Sequence, residues 1–267
     1  KVIKIQVKKK DSSADSMLVV GLTGGIASGK STVSAQLHDK YNFPIIDADK
    51  IAREIVEPGK PAYQSIVKHF EKKITGLLKE DGTLNRPALG RYVFSNESEL
   101  QILNSITHPE VRKEILRRIL KCWLHFEQIC ILDVPLLFEA GMDKMCGKTI
   151  CVICNEEIQL QRLMKRNSEL TKEDCINRIH SQLSNKERSS KADIVIENDG
   201  TLEGLYIELD KDIKGITPCK ALTYLEVLCP PFAVASALFY ITRKFVLNLA
   251  ERYSCSFWGI KPIGKTA

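Results

Sequence analysis

The sequence lacks the patterns that mark several protein classes. It has no internal repeat with a period of roughly 20–50 residues, which argues against solenoids and propellers. It contains only five histidines, and the Cys151-Val-Ile-Cys154 pair has no second pair or histidine cluster that would complete a tetrahedral metal site. We therefore expect Cys151 and Cys154 to be two buried thiols on a strand, because free cysteine is among the most buried residue types.

The body of the chain also lacks an excess of positive charge. The 267 residues carry a net charge of +6, but residues 1–16 contribute +3 and residues 217–267 contribute +4. Residues 17–216 therefore carry −1. A body without net positive charge does not form the basic surface that binds nucleic acid, so no nucleic-acid partner is expected.

The composition indicates a folded intracellular protein. Hydrophobic residues make up 44% and charged residues 27% of the chain, which excludes a disordered or collagen-like protein. Its nine cysteines are an odd number and lie mostly in apolar runs, a usage that fits a reducing compartment.

The two ends differ from the body. Residues 1–16 are expected to be a basic tail without a fold of its own, with a targeting segment as the alternative. Residues 227–242 carry no charge, yet this run is shorter than the roughly 20 residues of a membrane span. Two readings of residues 217–267 stay open, a membrane anchor and a hydrophobic helix docked on the body. The expected location is the cytosol or a cytosol-facing membrane, with the mitochondrial outer membrane as one site for an anchored tail.

Short apolar runs predict the strands of a sheet. Helical patterns fill about 48–128 and are expected to break at Pro58-Gly59, Asp81-Gly82 and His108-Pro109. Continuous apolar strands separated by helices predict an α/β fold with a parallel sheet covered on both faces. The predicted strands are 18–22, 43–46, 129–133, 149–154 and 194–196.

A glycine-rich loop after the first strand carries the clearest chemical signal. It fits G-x-x-x-x-G-K-[ST] and precedes a helix, which is the context of a phosphate-binding P-loop. Backbone N–H groups of such a loop surround a phosphate, the lysine reaches the β- and γ-phosphates, and the hydroxyl can bind Mg²⁺. The motif predicts a nucleoside triphosphate site but does not distinguish a kinase from a GTPase or a motor. Its residues are Gly24, Gly25, Ile26, Ala27, Ser28, Gly29, Lys30 and Ser31, followed by Thr32.

Acidic residues follow the second and third predicted strands. Asp47 and Asp49 end the second strand at the sheet edge that also carries the P-loop. One can face Mg²⁺ or a substrate hydroxyl while the other caps the next helix, and the alternative is that both are caps. Asp133 follows an apolar run in the manner of a Walker B acid and can hold Mg²⁺.

Further side chains could complete a kinase site, each with a plain structural alternative. Leu136 and Glu139 leave the sheet after the third strand, although Leu136 can equally belong to the core. Arg162 and Arg166 lie four residues apart on one helix face, where they either close over phosphates or are simply solvated. His108 is expected first at a helix boundary, with substrate binding as the second reading.

Several longer segments together resemble the dephospho-CoA kinase family over about residues 17–215. Beyond the P-loop they include residues 176–200, which contain Gln182 and Asn198-Asp199-Gly200. The tail after about residue 220 looks like the tail of animal members of the family. The remaining segments are IIDADKIAREIVEPGKPAY (45–63), DGTLNRPALGRYVF (81–94), ITHPEVRKEI (106–115), LDVPLLFE (132–139) and QLQRLMKRN (159–167).

The resemblance implies a reaction and an architecture. It implies transfer of the γ-phosphate of ATP, with Mg²⁺, to the ribose 3′-hydroxyl of dephospho-CoA, the last step of coenzyme A synthesis. The implied fold is a P-loop kinase domain over 17–216, similar to nucleoside-monophosphate kinases, with a five-stranded parallel sheet. Helices in about 62–125 would bind substrate, and about 155–190 would form a lid.

The resemblance also implies roles for single residues. Asp49 corresponds to the catalytic acid that takes the hydroxyl proton, and Lys30 and Arg162 act with it. Asn198 and Gly200 belong to the loop beside the adenine. The P-loop and the Walker B pattern, independently of the resemblance, predict Ser31 and Asp133 as metal ligands. The predicted substrate-binding residues are Asp47, Arg53, His108, Leu136 and Glu139, and Asp47 has a Mg²⁺ or structural role as its alternative.

Two other functions remain as alternatives. One is another small-molecule P-loop kinase, for instance one acting on a nucleoside monophosphate. The other is a membrane-tethered nucleotide-binding protein that has lost catalysis. A GTPase is not expected, because the sequence has no guanine-reading Asn-Lys-x-Asp loop.

Overall fold

A computed structural model describes residues 17–229 together with residues 231 and 242. Within them one parallel sheet has the strand order β2-β3-β1-β4-β5, which confirms the predicted fold class. All five predicted strands are present, and none of their ends differs from the prediction by more than two residues. The strands are β1 (Leu18–Gly24), β2 (Ile45–Asp47), β3 (Ile129–Asp133), β4 (Lys148–Ile153) and β5 (Ile194–Glu197).

Helices connect and cover these strands. The predicted breaks at Pro58-Gly59 and Asp81-Gly82 are confirmed, since both pairs lie between helices. A short 3₁₀ helix spans Met142–Met145. The α-helices are α1 (Lys30–Tyr41), α2 (Ala48–Glu54), α3 (Pro61–Phe70), α4 (Arg86–Phe94), α5 (Glu97–Leu124), α6 (Glu156–Arg166), α7 (Lys172–His180), α8 (Asn185–Lys191), α9 (Leu202–Ile216) and α10 (Lys220–Leu228).

The predicted helix boundary at His108-Pro109 is wrong. Helix α5 runs through both residues, with Pro109 in its interior. A proline inside a helix costs about 3 kcal/mol because its ring clashes and a backbone donor is lost. Burial on both sides of the proline offsets this cost, since Ile106 packs against the core before it and Ile115 is fully buried after it.

Both faces of the sheet are buried, and for this reason its strands are apolar without interruption. In β3, Ile129 and Ile131 belong to the cluster under α1 and α9, whereas Cys130 and Leu132 belong to the cluster under α2 and α5. A third apolar cluster joins α3, α4 and the first half of α5, around Phe70.

The strand order fixes where a ligand can bind. β1 lies between β3 and β4, so the chain leaves β1 at the point where connections run to opposite sides of the sheet. In open α/β sheets the crevice at this point, outside the carboxyl ends of the strands, is the usual ligand site. The P-loop, Asp47 and Asp133 all lie at these carboxyl ends.

The described start of the C-terminal tail is docked on the body. Helix α10 packs against the end of α5, where the rings of Phe126 and Tyr224 stack with centroids 4.8 Å apart. Gln128 Nε2 also donates a hydrogen bond to the carbonyl of Pro218 at 2.5 Å. Residues 217–229 are thus docked on the body, while the apolar run at 227–250, to which the two readings apply, lies mostly outside the described residues.

The two predictions about the ends of the chain fall largely outside the described residues. These are the basic tail at 1–16 and the membrane anchor, whose uncharged run is described only at 227–229, 231 and 242. Among the residues that the structure describes, none of the helices has the length and apolar character needed to cross a bilayer.

The Phe126–Tyr224 stack gives a first testable prediction. We expect Tyr224→Ala to lower the free energy of unfolding by about 1 kcal/mol, the contribution of an aromatic pair beyond its buried area. Activity per folded molecule should not change, because the stack lies at the opposite end of β1 from the P-loop. Gln128, two residues after Phe126, accepts a hydrogen bond from Leu18 at the start of β1. Chemical denaturation measures the loss. Leu228→Ala is the control on the same helix, because Leu228 is 72% exposed, and an equal loss in both variants would contradict the prediction.

Candidate active site

The P-loop is held from outside by residues of other elements. Gly29 has φ 93°, in the left-handed region, and a Cβ atom there would overlap the amide nitrogen of Asn198. Asn198 Nδ2 donates to the carbonyl of Ser28 at 2.8 Å, so the predicted nucleotide-binding Asn198 supports the loop directly. Gly200 is exposed, and a Cβ atom there would meet no atom of a described residue within 4 Å.

Lys30 and Asp133 form an ion pair at the centre of the site. Lys30 begins α1, and its Nζ donates to Asp133 Oδ1. Asp133 is a buried residue at the end of β3, where it is the register partner of Leu22 on β1 and of Asp47 on β2. The structure thus brings together the P-loop lysine and the Walker B acid that the sequence predicted separately.

Asp47 and Asp49 have different environments. Asp47 Oδ1 accepts the backbone N–H of Lys50 at 3.0 Å and caps α2. Asp49 lies in the first turn of that helix with an exposed side chain, and it forms no hydrogen bond or ion pair with any described residue. Of the two acids, Asp47 is therefore the structural cap, and Asp49 is available to a ligand.

Arg162 reaches the P-loop from α6. Its Nη2 donates to the carbonyl of Asn198 at 3.1 Å, and its Nη1 lies 3.9 Å from the position that a Cβ atom would take at Gly29. Within the described part of the chain, Arg162 Nη1 and Ser28 Oγ are both buried without a hydrogen-bond partner. Unsatisfied buried groups cost about 1–3 kcal/mol each, and phosphate oxygens are acceptors that would satisfy these two donors.

The segment after β3 turns toward the helices α6–α8. Leu137 and Phe138 are buried in the core, whereas Leu136 is 42% exposed. The Glu139 carboxylate accepts the backbone N–H of Leu183 at 3.4 Å and pairs with Arg188 Nη2 at 3.3 Å. Glu139, predicted to bind substrate, therefore links this segment to the start of α8.

Two predicted substrate-binding residues, Arg53 and His108, lie on α2 and α5 and take no part in the contacts of the described residues around the P-loop. Arg53 is exposed near the end of α2, and its carbonyl accepts a hydrogen bond from Arg86 Nη2 at 2.7 Å. His108 is exposed on α5. Among the described residues, neither side chain has a hydrogen bond to the P-loop, Lys30 or Asp133.

Further described residues contact the P-loop, and no individual role was predicted for Gln159 or Gln182. Gln159 and Gln182 hydrogen-bond the backbone of Ile26, and Arg188 is buried beside them. Gln159 lies three residues before Arg162, and such a spacing places both on one helix face. That spacing, with the resemblance of segment 159–167, was the available signal for Gln159, because a single glutamine carries no charge pattern.

The two cysteines on and after β4 are buried thiols, as predicted. Burial raises the pKa of the Cys151 thiol to about 12 and also raises the pKa of Cys154. Both side chains are almost inaccessible, at 0% and 3% exposure. They are therefore protonated core residues beside the site.

Comparison with known proteins decides the family. The sequence model of the dephospho-CoA kinase family matches residues 18–204 of the chain. The chain belongs to the dephospho-CoA kinase family. A dephospho-CoA kinase of Saccharomyces cerevisiae is 52% identical over 240 residues, which cover 90% of this chain and 99% of that protein. One from Oceanobacillus iheyensis is 47% identical over 194 residues, 72% of this chain and 94% of its own length.

Solved structures agree with this assignment. A Thermus thermophilus protein has a TM-score of 0.64 at 32% identity and is covered over its full length by 76% of this chain. A dephospho-CoA kinase from Campylobacter jejuni has a TM-score of 0.58 at 32% identity, covering 74% of this chain and 96% of its own.

Membership of the dephospho-CoA kinase family confirms the main functional predictions. The chain is a P-loop kinase that uses ATP and acts on dephospho-CoA, both of them small-molecule ligands. The family resemblance, which rested on separate motifs, is also confirmed, since the family model matches from β1 to the start of α9.

Proposed function

We propose that the chain transfers the γ-phosphate of ATP to the ribose 3′-hydroxyl of dephospho-CoA with Asp49 as the base. One observation carries this assignment. Of the three acids at the carboxyl ends of β2 and β3, Asp47 is engaged as a helix cap and Asp133 by Lys30, while Asp49 has no partner among the described residues. An acceptor carboxylate orients the attacking hydroxyl and takes its proton.

The P-loop and two cations provide the charge that phosphoryl transfer requires. The backbone N–H groups of the loop and the N-terminus of α1 bind the phosphates. Lys30 neutralises charge on the β- and γ-phosphate oxygens, and Arg162 donates from the side of α6 through its unpaired Nη1. Because such transfer is mainly positioning and charge stabilisation, these groups account for most of the rate.

Mg²⁺ fits the residues at this site. The Ser31 hydroxyl is exposed in the first turn of α1, and the Asp133 carboxylate lies at the end of β3. Oxygen ligands of this kind suit Mg²⁺, which keeps several waters and uses few protein groups. When bound, the ion neutralises charge on the β- and γ-phosphates.

The remaining regions are assigned to substrate binding and closure. In residues 17–216, the kinase domain, we assign the helices in 62–125 to dephospho-CoA binding and residues 155–190 to a lid. Arg53, His108 and Leu136 have exposed side chains that a substrate can contact. Asp47 and Glu139 act on the substrate only indirectly, since one caps α2 and the other holds Arg188.

Acceptor-dependent formation of ADP tests the proposed function. The purified chain with ATP and Mg²⁺ should release ADP rapidly only when dephospho-CoA is added. A nucleoside monophosphate as acceptor distinguishes the other small-molecule kinase, because it would then replace dephospho-CoA. Nucleotide binding without any acceptor-dependent ADP would instead indicate a protein that has lost catalysis, and either result would contradict the proposal.

A further inference from the structure

Two glutamines hold both backbone groups of one P-loop residue. Gln159 Nε2, from α6, donates to the carbonyl of Ile26 at 2.6 Å. Gln182 Oε1, from the segment between α7 and α8, accepts the N–H of Ile26 at 3.0 Å. We call Gln159 and Gln182 the glutamine clamp. The backbone of Ile26 is therefore bonded on both sides to the region assigned as the lid.

The direction of each hydrogen bond follows from chemistry. A carbonyl can only accept, so the Gln159 atom that faces the Ile26 carbonyl must be the NH₂ group. A backbone N–H can only donate, so the Gln182 atom that faces it must be the oxygen. Arg188, which has donors alone, also contacts this atom at 3.1 Å. Gln159 thus acts as a donor and Gln182 as an acceptor.

Arg188 fixes the position of Gln182. Its side chain is 2% exposed, and its Nη2 contacts Glu139 at 3.3 Å as well as Gln182. The ion pair with Glu139 balances a guanidinium charge that would be costly to bury alone. Arg188 Nη1 and Gln159 Nε2 lie 3.0 and 2.7 Å from the position of a Cβ atom at Gly25. A side chain at Gly25 would therefore displace the ends of the Gln159 and Arg188 side chains.

The P-loop has a strained residue next to the clamp. Ala27, which follows Ile26, has φ 59°, a left-handed conformation that costs a non-glycine residue about 1–2 kcal/mol. Such a conformation persists only when surrounding structure holds it. The clamp provides that restraint on the preceding peptide groups.

We propose that Gln159, Gln182 and Arg188 are positioning residues that keep the P-loop in its phosphate-binding shape and so set the affinity for ATP. The inference rests on the proposed function only in taking the P-loop as the nucleotide site. The hydrogen-bond directions make it specific, because the two glutamines must respond oppositely to the same substitution.

The test compares Gln159→Glu with Gln182→Glu at mildly alkaline pH. A carboxylate at position 182 still accepts from Ile26 and pairs with Arg188, so the variant should retain most of the affinity for ADP. A carboxylate at position 159 cannot donate to the Ile26 carbonyl, so the dissociation constant for ADP should rise on the order of 10-fold. Calorimetric titration with ADP measures both.

Three controls separate positioning from folding and charge. Gln161→Glu adds the same charge on the exposed face of α6 and should leave the dissociation constant unchanged. If Gln159→Glu does not fold, Gln159→Met removes the donor without adding charge and should weaken ADP binding similarly. The KM for ATP should rise with the dissociation constant, whereas the KM for dephospho-CoA should not.

The outcomes are distinct. Equal losses in the two clamp variants, or a larger loss in Gln182→Glu, would overturn the inference and leave the proposed function intact. A wild-type chain that does not bind ADP would overturn the proposed function itself.

Discussion

We expect Asp49→Asn to lower kcat by roughly 10²–10⁴-fold, the range for a lost general base. Asparagine keeps the shape of the side chain but cannot take the proton of the attacking hydroxyl. The affinity for ATP should barely change, because Asp49 has no hydrogen bond or ion pair to the P-loop or Lys30 within the described residues. Steady-state kinetics and ADP titration on the same preparation measure both quantities.

Asp47→Asn is the matched control for this prediction. Asparagine and aspartate are equally good N-caps, so the variant keeps the bond to the Lys50 N–H and should retain both stability and kcat. A collapse of kcat in Asp47→Asn, with Asp49→Asn active, would reverse the assignment of the two acids. A loss of ATP binding in Asp49→Asn would show instead that Asp49 holds the metal.

Lys30→Ala should abolish phosphoryl transfer, with a loss on the order of 10²-fold or more. The variant removes the cation that neutralises the β- and γ-phosphates, and it also leaves the buried Asp133 carboxylate without its counter-ion. Both nucleotide binding and turnover should therefore fall. ADP titration and single-turnover rates with saturating ATP measure the two effects separately.

Lys40→Ala provides the control on the same helix. Lys40 lies in the last turn of α1 and also pairs with an aspartate, Asp210, but on the side of α9. Its loss removes a lysine and an ion pair without touching the P-loop, so activity should stay near the wild-type value. Near wild-type turnover in Lys30→Ala, or an equal loss in both variants, would refute the role of Lys30.

The sheet and the P-loop could be predicted because their signals are local. A strand buried on both faces is an apolar run, and β3, at Ile129–Asp133, has the predicted bounds. The P-loop has a fixed spacing between glycines and lysine. Pro109 misled the prediction of α5, because its local helix-breaking effect is outweighed by burial of residues from distant helices.

The shell around the P-loop could not be predicted, because its residues meet only in the folded chain. The shell residues come from four different segments, namely Asn198, Gln159, Gln182 and Arg188. Their positions in the sequence have no regular spacing from Ser28 or Ile26 that would predict these contacts. Likewise, the strand pattern alone left open which of Asp47 and Asp49 caps the helix, and only the family resemblance assigned the base role to Asp49. The capping hydrogen bond to Lys50 makes that distinction.

The most direct test of the account is the fate of the γ-phosphate. The purified chain is incubated with Mg²⁺, dephospho-CoA and ATP labelled in its γ-phosphate. The products are then separated, and phosphorus NMR identifies the position of the transferred phosphate in the labelled product. The account predicts that the label appears in coenzyme A as a 3′-phosphate on the ribose, one label for each ADP formed. Label recovered only as inorganic phosphate, or attached to a different hydroxyl, would contradict it.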